Sequence, residues 1–229
     1  MKIKNPFRDL TRFELILWLV SMCVTVASYL LSGCEGLLTT VASLIGVTAL
    51  IFVAKGYVLG QILTVVFAVF YGIISFYLRY YGEVITYLCM TAPMAIFCVV
   101  EWIRHPYKGT KEVQVSRLST RRIAVMVFVS IVVTAAFYFI LRALGNASLI
   151  TSTLSITTSF VASYLTFCRS PYYALAYAAN DIVLIVLWVI AALGDVSYIP
   201  MVMCFVMFLA NDIYGFINWR RMQKRQITV

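Results

Sequence analysis

The sequence predicts an all-α, polytopic membrane protein of about eight transmembrane helices, and three observations predict it. Of 229 residues, 63% are hydrophobic and only 12% charged, with a mean hydropathy of +0.96, against roughly 45–50% apolar content in soluble domains. The apolar residues gather into runs of about 18–22, each able to cross about 30 Å of hydrocarbon as a helix. Such runs are too long and too evenly apolar for β-barrel strands, which need about ten residues of strict alternation. Finally, the cations gather on alternate connecting segments, as in a chain threaded through a membrane.

In chain order, the predicted spans fall at 14–31, 37–53, 57–78, 84–101, 123–141, 149–167, 171–193 and 197–218. The first follows a basic N-terminal segment and runs into Leu31-Ser32-Gly33-Cys34. The second ends at the turn Ala54-Lys55-Gly56. The fourth begins after Gly82-Glu83, and the hydrophilic stretch 103–122 then joins two halves. The seventh follows Cys168-Arg169-Ser170, and the eighth opens after Gly194-Asp195 and ends in Arg220-Arg221. With the N-terminus inside, sixteen of the eighteen Lys and Arg residues lie on inner segments, and only Arg79 and Arg142 lie on outer loops. This positive-inside bias places both termini in the cytoplasm. It also accounts for the formal net charge of +9 without a nucleic-acid partner.

The six cysteines are dispersed, and only Cys34 clearly reaches the outer face, so no disulfide framework or metal spacing emerges. The lone His105 has no Cys or His at ligand spacing. Leu31-Ser32-Gly33-Cys34 resembles a bacterial lipobox, but an ordinary first helix with a Gly-containing turn fits better, since this helix has a counterpart in the second half. Asn146-Ala147-Ser148 matches a glycosylation sequon and is read as a coincidence in a tight turn.

The counterpart belongs to an internal repeat. Ser21, Thr25 and Tyr29 recur as Ser130, Thr134 and Tyr138; Ala54-Lys55-Gly56 as Cys168-Arg169-Ser170; Gly82-Glu83-Val84 as Gly194-Asp195-Val196; and Glu101-Trp102-Ile103-Arg104 as Asn218-Trp219-Arg220-Arg221. The order of these matches is preserved at an offset of about 109–117. Copies with an even number of helices share one orientation, the arrangement of parallel repeats in transporters with a site between the halves.

Polar residues inside spans are costly, at about 2.5–3.5 kcal/mol for a central ionised Asp, and therefore mark candidate sites. Asn180-Asp181 falls near the middle of the seventh span and Asn211-Asp212 nearer the inner end of the eighth. Helical spacing adds rings and amides: Asp181 with Leu184, Ile185 and Trp188, and Asn211 with Tyr214, Gly215 and Asn218. Acids and amides beside rings suit a flat, polar heteroaromatic ligand, and Trp188 would add a cation–π contact for a cationic one. Tyr71 and Gln61 are the first half's candidate contributions. Against these stand a plain helix–helix hydrogen bond for each Asn, at about 0.6 kcal/mol, and a pairing of Asp212 with Arg220 or Arg221. Walker, Gly-x-Ser-x-Gly and His-Glu-x-x-His motifs are absent, which argues against an enzyme or an ATP-driven pump.

The string Asn211-Asp212-Ile213-Tyr214-Gly215-Phe216-Ile217-Asn218-Trp219 resembles the closing helix of the PnuC family of bacterial vitamin transporters. The likeness extends to Ala54-Lys55-Gly56, Tyr81-Gly82-Glu83-Val84, Ala92-Pro93-Met94, Val115 to Leu118, Thr153-Leu154-Ser155 and Leu187-Trp188-Val189-Ile190-Ala191. It implies a SWEET-like arrangement of two three-helix bundles, residues 36–102 and 149–219, joined through 103–148 by an inverting helix. Residues 1–35 would then be an added N-terminal segment and helix, and 220–229 a basic tail. The resemblance also implies facilitated diffusion of an unphosphorylated vitamin, foremost nicotinamide riboside, trapped by a cytoplasmic kinase and feeding NAD biosynthesis. No cofactor is implied. The expected partners are the small-molecule vitamin or nucleoside, membrane lipids of a bacterial inner membrane and the kinase, in a monomer or a homo-oligomer. Two departures bear on substrate: Ala95 stands where many family members have Gln, and Tyr172-Tyr173-Ala174 where Gln-Trp or Glu-Trp is common. The alternatives are a proton-coupled carrier of thiamine, riboflavin or deoxynucleosides and, from another class, a membrane sensor or assembly protein.

Overall fold

A computed structural model describes residues 5–31, 37–77, 81–145, 148–194 and 199–227. Cys34 and the Asn of the sequon lie outside the described residues. After a short 3-10 turn, Pro6–Asp9, come α1 (Arg12–Leu31), α2 (Leu37–Ala54), α3 (Val58–Tyr77), α4 (Tyr81–Ile85), a π-helical stretch (Thr86–Thr91) and α5 (Ala92–Arg104). Then follow α6 (Thr120–Ala143), α7 (Leu149–Phe167), α8 (Tyr173–Gly194) and α9 (Ile199–Ile227). No strand occurs among the described residues, only the isolated bridges Tyr57 to Glu112 and Pro106 to Val113. Helices satisfy their own backbone groups, which hydrocarbon requires. Six runs are long and apolar enough to cross a membrane: α1, α3, Gly82–Arg104, α6, α8 and α9. The other two expected spans coincide with α2, whose apolar part is the shorter Thr40–Ala54, and α7, where nine of nineteen residues are Ser or Thr.

The π-helical stretch follows from Pro93, which has no N–H to offer the carbonyl four residues back. The preceding ladder widens, and Ala92 N bonds to Tyr87 O. Such widening turns a local face of the helix, and here it accompanies Tyr87 and Thr91, which both reach the interior cavity described below.

Two turns share one geometry, one residue out of the register read from the sequence, since Gly56 corresponds to Arg169 and not to Ser170. Gly56 ends α2 with φ 70° and Arg169 ends α7 with φ 55°. Each closes its helix with paired bonds: Gly56 N to Val53 O (2.8 Å) and Tyr57 N to Phe52 O (2.9 Å), and Arg169 N to Thr166 O (2.9 Å) and Ser170 N to Leu165 O (3.0 Å). The two sets are 113 residues apart atom for atom. Across them the tryptophans cross over. Trp219 on α9 donates Nε1–H to Val53 O at 2.9 Å, while Trp102 on α5 donates to Thr166 O at 3.2 Å. Both indoles are fully buried, with ring centres 5.4 Å apart.

The segment between α5 and α6 forms a strap over this end of the bundle. Val113 N bonds to Gly56 O and Ser116 N to Arg169 O, each at 2.9 Å, while Gln226 at the end of α9 holds Val115 N (2.7 Å) and Val113 O (3.2 Å). Arg225 pairs with Glu112, and Arg169 lies 3.5 Å from Glu101. Burial lowers the Arg169 pKa from its ordinary value and the Glu101 carboxylate opposes that fall.

Helix α1 packs along the seam between α2 and α9. Glu14, 1% exposed, accepts from Lys55 Nζ (2.9 Å), the Tyr214 hydroxyl (2.8 Å) and Thr11 N (2.6 Å). Further along, Asn211 Nδ2 donates to Ser21 Oγ at 3.1 Å and Trp18 to Thr48 at 3.1 Å. In contrast, α6 packs mainly on α7 and turns apolar side chains such as Phe128, Ile131 and Phe139 outward.

Candidate functional site

Between the halves lies a cavity whose walls come from α2, α3, the π-helical stretch, α7, α8 and α9. It measures about 690 Å³ including the space at its mouth, and little of its interior is wide enough for a water-sized molecule to move in. It is therefore a narrow slot. Its polar lining is Gln61, Thr64, Tyr87, Thr91, Ser159, Tyr173, Tyr177, Asn180, Asp181 and Asp212, and no Lys, Arg or His lines it among the described residues.

The two aspartates are brought from α8 and α9 to the wall of one cavity, close enough to interact with each other. Both are 3% exposed, and among the described residues no donor is aimed at Asp181 Oδ2. The pairing of Asp212 with Arg220 or Arg221 is not what the structure holds; Arg220 bonds Gln223 at 2.7 Å instead. Asn180 accepts through Oδ1 from Ser155 (3.1 Å) and Thr158 (2.8 Å) and lines the cavity. Gln61, 3% exposed, reaches the same cavity from α3.

Tyr71 and Trp188 sit away from the strap end, in an aromatic layer with Phe67, Tyr87, Phe205 and Phe208. Tyr71 and Tyr87 lie 4.3 Å apart between ring centres with their planes tilted by 43°, and neither Tyr71 nor Trp188 reaches the cavity wall. At the strap end, Tyr173 packs 4.9 Å from Trp219, closing that side with Trp102, Val53 and Met222. The cavity thus lies between two aromatic layers.

The other three predicted residues turn elsewhere. Asn211 serves α1 through Ser21, Tyr214 serves Glu14, and Asn218 Nδ2 caps α2 at Ala54 O (2.9 Å). Sequence reasoning missed Tyr173, Tyr177, Tyr87 and Thr91, and read Ser159, within the Ser148 to Ser159 series, as a packing residue sooner than a lining one. Tyr173 and Tyr177 were within reach, because counting back four and eight residues from Asp181 extends its stripe to both. Where family members often carry Gln-Trp, Tyr173 occupies the cavity wall; Ala95 is buried.

Comparison with known proteins fits this architecture. Residues 36–221 match the profile of a family described as nicotinamide mononucleotide transporter. A protein named nicotinamide riboside transporter PnuC, from Neisseria mucosa, is 28% identical over 228 residues, 97% of this chain and 86% of that one. A crystal structure of the vitamin B3 transporter PnuC superposes with a TM-score of 0.83 at 25% identity, over 95% of this chain and 94% of that one.

Proposed function

This chain belongs to the nicotinamide mononucleotide transporter family, and from that premise we propose that it carries nicotinamide riboside, or a closely similar nucleoside-like vitamin, across the inner membrane of a bacterium. The observation that carries this reading is the Asp181–Asp212 pair, enclosed in a slot without a basic side chain. Nicotinamide riboside bears a pyridinium cation on a flat ring. The acid pair, sharing one proton, supplies a single counter-charge; Phe67, Tyr87 and Tyr177 on the slot wall supply ring faces, and Asn180 and Gln61 supply hydrogen bonds to amide and ribose.

The same charge argues against a mononucleotide as the cargo. A phosphate held about 6 Å from one carboxylate meets a repulsion of about 3 kcal/mol per pair of unit charges at an effective dielectric near 20. Phosphorylation by a cytoplasmic kinase therefore turns a ligand the slot accepts into one it rejects. Facilitated diffusion then becomes net uptake without an ion gradient.

Because the slot is too narrow for a ribosylated ring, admission requires one aromatic layer to part while the other stays shut. We read the halves as the two three-helix bundles α2–α5 and α7–α9, joined by α6 as an inverting helix and preceded by α1, giving eight crossings with both termini cytoplasmic. The duplicated turns and crossed tryptophans support that reading.

The test is uptake into proteoliposomes of labelled nicotinamide riboside, nicotinamide mononucleotide, thiamine, riboflavin and deoxynucleosides. The riboside should equilibrate and the mononucleotide should not; absence of riboside flux refutes the proposal. The buried acid pair also motivates a second reading, proton-coupled transport. Riboside uptake indifferent to an imposed pH gradient removes it.

A further inference from the structure

We propose that the groove between α6 and α7 is a binding site for one anionic phospholipid. The groove offers about 600 Å³ and is distinct from the cavity between the halves. Its α6 wall is the stripe Met126, Ser130, Thr134 and Tyr138, and its α7 wall includes Thr157 and Val161. Thr134 and Thr157 bond to one another across it at 2.7 Å. Ser130, 8% exposed, has a hydroxyl with no hydrogen-bond partner among the described residues, so the groove floor is neither fully apolar nor satisfied by protein.

One turn before Met126, the stripe reaches Arg122, and Arg121 and Arg117 lie beside it; all three are exposed. No described carboxylate stands at ion-pair distance from any of them, since the nearby Glu101 is engaged by Arg169 and His105. The Tyr164 hydroxyl donates to Arg122 O at 3.3 Å, joining the basic end of α6 to α7 where the groove begins. A basic cluster opening into an intramembrane groove matches an anionic headgroup with its acyl chains attached. The lengths agree as well. Arg122 to Tyr138 spans about 24 Å of helix, against about 20–22 Å for half a bilayer with its headgroups. The helix is otherwise poorly anchored: it touches little but α7, and a lipid wedged beside it would complete its packing.

Native mass spectrometry of the purified full-length protein, titrated with phosphatidylglycerol or phosphatidylcholine, tests the site. The wild type should hold one phosphatidylglycerol per chain, at least fivefold more often than phosphatidylcholine. Arg121→Ala/Arg122→Ala should lower that occupancy at least fivefold. Ser130→Phe, which fills the groove and leaves the charges in place, should lower it similarly, while circular dichroism shows both variants folded. Equal retention of the two lipids, unchanged retention in both variants, or cross-linking between two copies through Ile131→Cys, at an exposed residue of the groove wall, would each overturn the proposal, the last by showing that a second chain fills the groove.

Discussion

Replacing Lys55 by Met isolates the contribution of the buried ion pair that fastens α1 to the rest of the protein. Glu14 and Lys55 are 2.9 Å apart with side chains 2% and 11% exposed. At an effective dielectric near 20 their attraction is about 6 kcal/mol, much of it offset by the desolvation of both ions. What remains visible is the cost of stranding one partner, about 3–5 kcal/mol. The lower end applies because Tyr214 and Thr11 still donate to Glu14. At about 2–4 °C per kcal/mol for a chain of this size, Lys55→Met should lower the unfolding midpoint by about 6–12 °C. The double variant Glu14→Gln/Lys55→Met removes both charges and should recover more than half of that loss. Intrinsic tryptophan fluorescence on heating in nanodiscs reads both. A single-variant loss below about 1 kcal/mol, or strict additivity in the double variant, would refute the claim that this pair carries the attachment.

Three other outcomes are expected. Asp181→Asn should cut the uptake of cationic nicotinamide riboside at least tenfold while changing that of a neutral nucleoside less than threefold, measured as initial rates in proteoliposomes; equal losses would assign Asp181 a purely structural role. Trp102→Phe or Trp219→Phe removes one indole bond to the opposite half, worth about 1–3 kcal/mol with the packing defect, and should speed maleimide labelling of buried Cys98 (1% exposed). Gly60→Ala should destabilise by about 2 kcal/mol or more in a thermal melt, because a Cβ there would sit 2.4 Å from Val53 N, an atom that cannot turn aside.

Helices were legible in the sequence because hydropathy and the placement of turn residues are one-dimensional signals. Rotational register between helices is not. Asn211 and Asp212 are neighbours in sequence, yet about 100° of helical rotation separates them, so Asp212 faces Asp181 while Asn211, Tyr214 and Asn218 face α1 and α2. A stripe read on one helix cannot say which neighbour it meets. The meeting of the two aspartates was hidden for the same reason. The π-helical stretch was hidden for another: Pro93 announces a disturbed ladder, but a proline can either kink a helix or widen the turn before it.

The crossed tryptophans have a consequence for symmetry. The α5 indole takes its acceptor from α7 and the α9 indole takes its acceptor from α2, so each helix pair both gives and receives. Two bonds exchanged in this way are what a local twofold axis would generate at the strap end, and the axis does not extend to the cavity, where the acids come from α8 and α9 and the glutamine from α3.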